Sequence, residues 1–385
     1  MNQRVTNILF FILVGLLFAP AYYHFYTPKE TIAPLNGTFE NADTVRLSWN
    51  SWKNKSWQEN AEQILKKNLT ITPFLIRVQH EMDYRLFKKY NMADLLIGED
   101  EYMFSWGWSN ARCCLNNLNK DTLERYIQKL KTLSVLLNKK GKYFKIIIPP
   151  SKEEVFANKL PPDFRHEKLD NDYHLYTSAL KHNALDYWDL LDYYKEVMDT
   201  SRFPIYSKTS VHWTFYGANL TLKLLIADME KYFNTDMATT QIDEIEIAKF
   251  KNGDGDHEKT LNLFSLVDTS DFAYPKFSVQ AKSQNVFKPK VLTIGDSFYW
   301  GMKGCWQLPK IYALDSKYLF YYNVVHYNGG SKKAHNIKTL NIVEEFKTSD
   351  AIVIINSSHN LNGYPFGLQH DIDKIITGLR ELPDK

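Results

Sequence analysis

The sequence predicts an α/β fold: a mostly parallel central sheet flanked by helices, preceded by an N-terminal transmembrane anchor and a membrane-proximal helical segment. Three observations predict it. From residue 120 onward, short runs of Ile, Val and Leu alternate with amphipathic helical stretches, the rhythm of a parallel sheet covered on both faces. Residues 58–90 carry apolar side chains at helical spacings, among them Ile64, Leu65, Leu69, Phe74, Leu75, Val78 and Met82. Residues 5–28 contain no Lys, Arg, Asp or Glu.

That uncharged run sets the compartment. Residues 8–18 are almost wholly apolar, and Tyr22, Tyr23, Phe25 and Tyr26 follow as an aromatic belt would. The run is long enough to span a bilayer core of about 30 Å. Arg4 then stays in the cytoplasm and the rest is exported. A cleaved signal peptide is the rival reading, but Pro20 spoils Ala19-Pro20-Ala21 as a cleavage site. The expected divisions are residues 1–26 as anchor, 27–110 as stalk and helical segment, and 111–385 as the α/β domain. The expected location is the inner membrane, single-pass, with the domain in the periplasm or outside the cell.

Within the α/β part, residues 95–98 read as a short strand followed by an acidic turn. Asp121 is the expected cap of a helix running to Lys140, with Leu123, Ile127, Leu130, Leu133 and Leu137 on one face and Gly141 ending it. Strands are expected at 145–149, 185–191, 290–295 and 350–356, and a helix at 214–233.

Composition narrows the function. A net charge of +3 with no Lys/Arg block excludes a nucleic-acid footprint. Aromatic residues make up 15%, many of them Tyr and Trp, which suits sugar contact as well as core packing. The cysteines are Cys113, Cys114 and Cys305. Neighbouring cysteines rarely bridge each other, so the expectations are a link from one of the pair to Cys305, or free buried thiols. No C-x-x-C or H-E-x-x-H spacing exists, so no metal site is expected, and no cofactor.

Two local features carry chemistry. An apolar strand runs directly into Gly295-Asp296-Ser297. Sites in open α/β sheets form at the carboxyl ends of strands, which puts Ser297 on that edge, at the expected start of a helix. The plainer role of Asp296 or Ser297 is to cap that helix. The second feature is Ser207-Lys208-Thr209-Ser210-Val211-His212-Trp213-Thr214, followed by Gly217-Ala218. A serine nucleophile needs a base within hydrogen-bond reach, and His212 is the candidate, with His257 and His359 behind it.

Together these features resemble the AlgX/AlgJ-type alginate O-acetyltransferase family, whose catalytic domain is SGNH-hydrolase-like. Gly295-Asp296-Ser297 resembles the first SGNH block, and His212-Trp213-Thr214 lies upstream as in that family. Residues 77–87 with Gly98, the strand and Pro-Ser-Lys turn of 142–152, Tyr321-Tyr322-Asn323, and Asn356 with Asn360-Leu361 extend the likeness over residues 49–367. The resemblance implies that Ser297 is the acyl-accepting nucleophile and His212 its base. The family usually has Asp two residues before the His; here that position is Ser210. Three readings are open: Ser210 orients the imidazole through its hydroxyl, Asp254 or Asp256 supplies the carboxylate, or the chain is a weakened relative. Asn356 is the expected side-chain donor to the oxyanion, with Gly329-Gly330 as a further backbone candidate. The resemblance also implies a polysaccharide acceptor and a multi-span membrane acyltransferase that passes acetyl groups outward. A carbohydrate esterase and a non-catalytic polysaccharide-binding scaffold are the alternatives.

Overall fold

Strand formation here follows from runs of β-branched residues that no helix face could bury on one side alone. The computed structural model describes residues 3–27, 32–37, 45–90, 92, 94–115, 117–249, 251, 254–281, 283, 286–304, 307–329 and 333–384, and the backbone alone at 65–68, 363 and 365. These form two compact units, one built from residues 1–93 and 257–266, the other from 94–256 and 267–385.

The first unit is helical. Helix α1 (Gln3–Tyr26) is long and apolar enough to cross a membrane, and none of it is buried. At 1.5 Å per residue it is about 36 Å long. Helix α2 (Trp49–Lys53) opens with a capping box in which Ser48 and Ser51 exchange side-chain and backbone hydrogen bonds. The helical pattern expected over 58–90 is two helices, α3 (Ser56–Asn68) and α4 (Thr72–Phe87). The break falls where Pro73, lacking an N–H, starts a helix more readily than it continues one. Arg77 donates to the carbonyls of Ala33 and Pro34 at 2.8 Å each, tying the chain that follows α1 to α4.

The second unit opens with the hairpin β1 (Leu95–Ile97) and β2 (Met103–Ser105), then α5 (Trp106–Cys113) and α6 (Lys120–Lys139). It continues through β3 (Tyr143–Ile148), α7 (Lys152–Val155), α8 (Asp172–His182), β4 (Tyr187–Asp189), α9 (Leu191–Thr200), α10 (Phe215–Phe233) and β5 (Thr239–Ala248). The short α11 (Asp256–Leu261) begins on the last residue before the chain re-enters the helical unit. After it come β6 (Phe272–Gln280), β7 (Val291–Gly295), α12 (Tyr299–Lys303), α13 (Leu308–Ile311), β8 (Lys317–Phe320), β9 (Val324–Tyr327) and β10 (His335–Asn336). Helix α14 (Ile342–Thr348), β11 (Ala351–Ile355) and α15 (Ile372–Arg380) close the chain.

Seven strands make the central sheet, in the order β10-β9-β8-β7-β11-β3-β4. The run from β8 to β4 is parallel, and β9 and β10 add an antiparallel edge. Side-chain alternation splits the core in two. Ile146, Ile148, Ile294, Ile352 and Ile354 point to a core shared with α6 and α15. Ile147, Val353 and Ile355 point to a second core filled by Leu222, Leu225, Ile226 and Met229 of α10. From β7 the chain goes to β8 on one side and later returns to β11 on the other, so the connections diverge at the β7–β11 boundary, where open α/β sheets hold their sites.

Several expectations are corrected. Asn119, not Asp121, caps α6: its side chain accepts the Thr122 N–H, and Asp121 sits in the first turn. The sulfurs of Cys113 and Cys114 are joined to each other at the end of α5. The expected partner Cys305 lies outside the described residues. Strands β8–β10 and the β5–β6 hairpin did not show in the apolar pattern, being too short or too charged.

Candidate active site

The site lies where β7 and β11 end together, Gly295 standing opposite Ile355. Gly295 is required by closeness rather than by a positive φ: a Cβ there would come within 2.8 Å of the Ile355 carbonyl oxygen. Asp296 is fully buried and acceptor-only in its ionised form. Its carboxylate receives the N–H of Phe298 at 3.1 Å, the N–H and hydroxyl of Ser357, and the Asn360 amide at 3.0 Å. That network fixes the turn and presents the next side chain, Ser297, which is partly exposed. Asp296 thus orders the turn that carries Ser297. The helix expected to start at Ser297 is α12, only five residues long and beginning at Tyr299, so it brings little dipole to the site.

His212 meets Ser297 from the opposite wall. Its Nε2 is 2.7 Å from Ser297 Oγ. Its Nδ1 is 2.9 Å from Asp256 Oδ2, and Asp256 Oδ1 accepts the Val211 N–H at 3.0 Å. The structure therefore brings Ser297, His212 and Asp256 into one hydrogen-bonded line. Ser210 is not in it: its hydroxyl accepts the His212 backbone N–H at 3.2 Å, a local turn contact. Asp254, two residues from Asp256, bonds the Tyr274 hydroxyl instead. His257 falls in the helical unit.

The loop bearing His212 is pinned at several points. Trp213 donates its indole N–H to the Phe298 carbonyl at 3.0 Å, and Thr214 caps α10 through the Gly217 N–H. Beneath the loop, Lys152 is fully buried and gives its ammonium to the carbonyls of Lys208 at 2.7 Å and Ser207 at 3.4 Å. Burial pushes it down to about 8, against the pull of Glu153, Asp256 and Asp268. Asp268 holds the other side, accepting the Lys208 N–H at 3.2 Å. The sequence signal for Lys152 was its Pro-Ser-Lys turn; for Asp268 there was none.

Asn356 follows β11 and is wholly buried, and among the described residues neither polar atom of its side chain has a hydrogen-bond partner. Such a buried amide, just past the end of the strand that neighbours the one carrying Ser297, can meet a ligand oxygen. His359 stacks on Trp108, with ring centres 3.3 Å apart. Burial, and then the facing His212, push it well below the usual imidazole range, so it stays neutral. Gly330 of the pair considered for a backbone donor lies outside the described residues. Among the described residues, one group of His, Cys and acid ligands is close enough to share an ion: Cys113, Cys114 and His166. With the two sulfurs bonded to each other, the thiolates a metal would need are spent.

A parallel sheet ending in Gly-Asp-Ser, with a His beside the serine, defines an SGNH-type hydrolase-like domain, here of the acyltransferase class. More particularly, residues 95–300 match the family described as "SGNH hydrolase-like domain, acetyltransferase AlgX"; this is over half of the chain, and the chain belongs to that family. Among solved structures it is similar to the O-acetyltransferase domain of Pseudomonas putida AlgJ, at 15% identity over 72% of this chain and 99% of that one, with a TM-score of 0.45. It is also similar to Pseudomonas aeruginosa AlgX, at 13% identity over 73% and 68%, TM-score 0.43, and to Bacillus cereus PatB1, at 14% identity over 71% and 98%, TM-score 0.40. No curated protein matches.

Proposed function

We propose that this chain is a membrane-anchored O-acetyltransferase that carries acetyl on Ser297 and delivers it to hydroxyls of an exported or cell-surface polysaccharide. The observation that carries the reading is the line Ser297 Oγ, His212 Nε2, His212 Nδ1, Asp256 Oδ2, with spacings of 2.7 and 2.9 Å at its two hydrogen bonds. Asp256 holds the proton on Nδ1, which leaves the Nε2 lone pair facing the serine. His212 takes the Ser297 proton as Oγ attacks the donor's carbonyl carbon. The Asn356 amide and backbone N–H groups stabilise the oxyanion, and the imidazolium protonates the departing group. A sugar hydroxyl then enters, loses its proton to His212 and takes the acetyl group, regenerating Ser297. Lys152 and Asp268 keep the His212 loop in register through both halves.

Helix α1 supports the anchored placement, since it is apolar and none of it is buried. Family membership supports acetyl as the acyl group. A multi-span membrane acyltransferase is the donor this reading calls for, because acetyl must arrive from the cytoplasmic side.

The test partitions the acyl-enzyme. The full chain in detergent is mixed with 4-nitrophenyl acetate and with neutral or uronic-acid oligosaccharides. Acetylated sugar is expected, with acetate release slowed in proportion. Acetate release that no sugar diverts would make the protein an esterase, and the absence of any burst of nitrophenol would favour the scaffold.

A further inference from the structure

The helical unit carries several large apolar side chains that are exposed. Trp49 is 79% exposed and Trp52 50%. On α4, Phe74, Leu75, Met82 and Leu86 are all exposed, and Leu75, Met82 and Leu86, seven and four residues apart, fall on one helical face. The turn before α4 is tied to α1. His24, in its last turn, places Nδ1 3.2 Å from the Thr70 hydroxyl, and Thr70 opens the turn that leads into α4. The unit is thus hydrogen-bonded to the end of the apolar helix.

Charge agrees with placement at a membrane. In sequence the helical unit has 12 Lys and Arg against 8 Asp and Glu, whereas the rest of the chain has 35 against 36. Without Arg4, which the anchor reading leaves in the cytoplasm, the unit still has 11 against 8 in sequence. Exposed Trp next to basic residues is the composition of a surface that lies in a headgroup layer, with the rings in the apolar boundary and the cations at anionic phosphates.

We infer that the helical unit lies on the bilayer, with Trp49, Trp52 and the Leu75–Met82–Leu86 face of α4 buried in the headgroup region of a membrane containing anionic phospholipid. This rests on the proposed reading of α1 as a membrane anchor. It makes the first unit an interfacial element rather than a passive stalk.

The sequence offers a clean test, because α1 contains no tryptophan and the chain has nine elsewhere. The full chain is reconstituted in vesicles of phosphatidylcholine and phosphatidylglycerol carrying a lipid spin-labelled near the headgroup. Partial quenching of tryptophan emission is expected, on the scale of two tryptophans in nine. The double variant Trp49→Phe/Trp52→Phe, whose sites are exposed and tolerate the change, should lose most of it. Quenching that is absent in the wild type, or unchanged in the double variant, overturns the inference and leaves the surface to a protein partner. Alkaline carbonate extraction separates the two levels. Protein that stays with the vesicles yet is unquenched overturns the interfacial inference alone; protein released to the supernatant overturns the anchor as well.

Discussion

His212→Ala is expected to slow formation of the acyl-enzyme by about 10⁵–10⁶, the scale on which serine enzymes lose activity when the base is removed. The reason is geometric. Among the described residues, Nε2 is the basic atom placed on Ser297 Oγ, at 2.7 Å. A serine hydroxyl with no acceptor for its proton is a weak nucleophile at neutral pH. His359, although near, cannot substitute: its Nε2 faces Ser357 at 3.4 Å, its ring is clamped on Trp108, and burial lowers its basicity. Rapid-quench measurement with 4-nitrophenyl acetate reads the rate directly. A loss of only a few-fold would mean that another group takes the proton.

The second large effect is expected at Asp256. Asp256→Asn should reduce the same rate by about 10³–10⁴, because an amide facing Nδ1 can stabilise the wrong tautomer and cannot stabilise the imidazolium. Its side chain is 32% exposed and that of His212 28%, so water softens the charge interaction but not the tautomer choice. Asp254→Asn, two residues away, should change the rate by no more than a few-fold, since Asp254 is engaged with Tyr274. The same holds for Ser210→Ala, whose hydroxyl serves a backbone turn. Comparable losses at Asp254 and Asp256 would contradict the assignment.

How far the sequence could be read follows from where its physics is local. Strands β3, β7 and β11 were legible because each is a mainly apolar run buried on both faces, broken only by Lys145 in β3 and Thr293 in β7. Gly295-Asp296-Ser297 and His212 were legible because both adjoin such elements. The carboxylate beside His212 was not fixed by sequence. Asp254 and Asp256 share one short segment, and only the fold shows which of them reaches across 44 positions to the imidazole. Strands β8, β9 and β10 are four, four and two residues long, below the length at which periodicity speaks, and they sit in an aromatic run that suits either a strand or a loop. In the β5–β6 hairpin, ion pairs such as Lys276–Glu244 put charge on the exposed face and dilute the apolar signal. The cap of α6 was misplaced because Asn119 and Asp121 are both good caps two residues apart, and backbone geometry chose the first. The Pro-Ser-Lys turn drew notice to Lys152 but not to its task, because its burial and the pair of carbonyls it meets, from a loop 55 residues away, exist only in the fold.

The central claim is that acetyl is held on Ser297. The most direct measurement is intact-protein mass, followed by peptide mapping, after brief exposure of the full chain to an acetyl donor and an acid quench. The account predicts one acetyl group per chain on the peptide containing Ser297, and none on that peptide in Ser297→Ala. An acetyl group on a different residue, or an adduct that survives in Ser297→Ala, would contradict it.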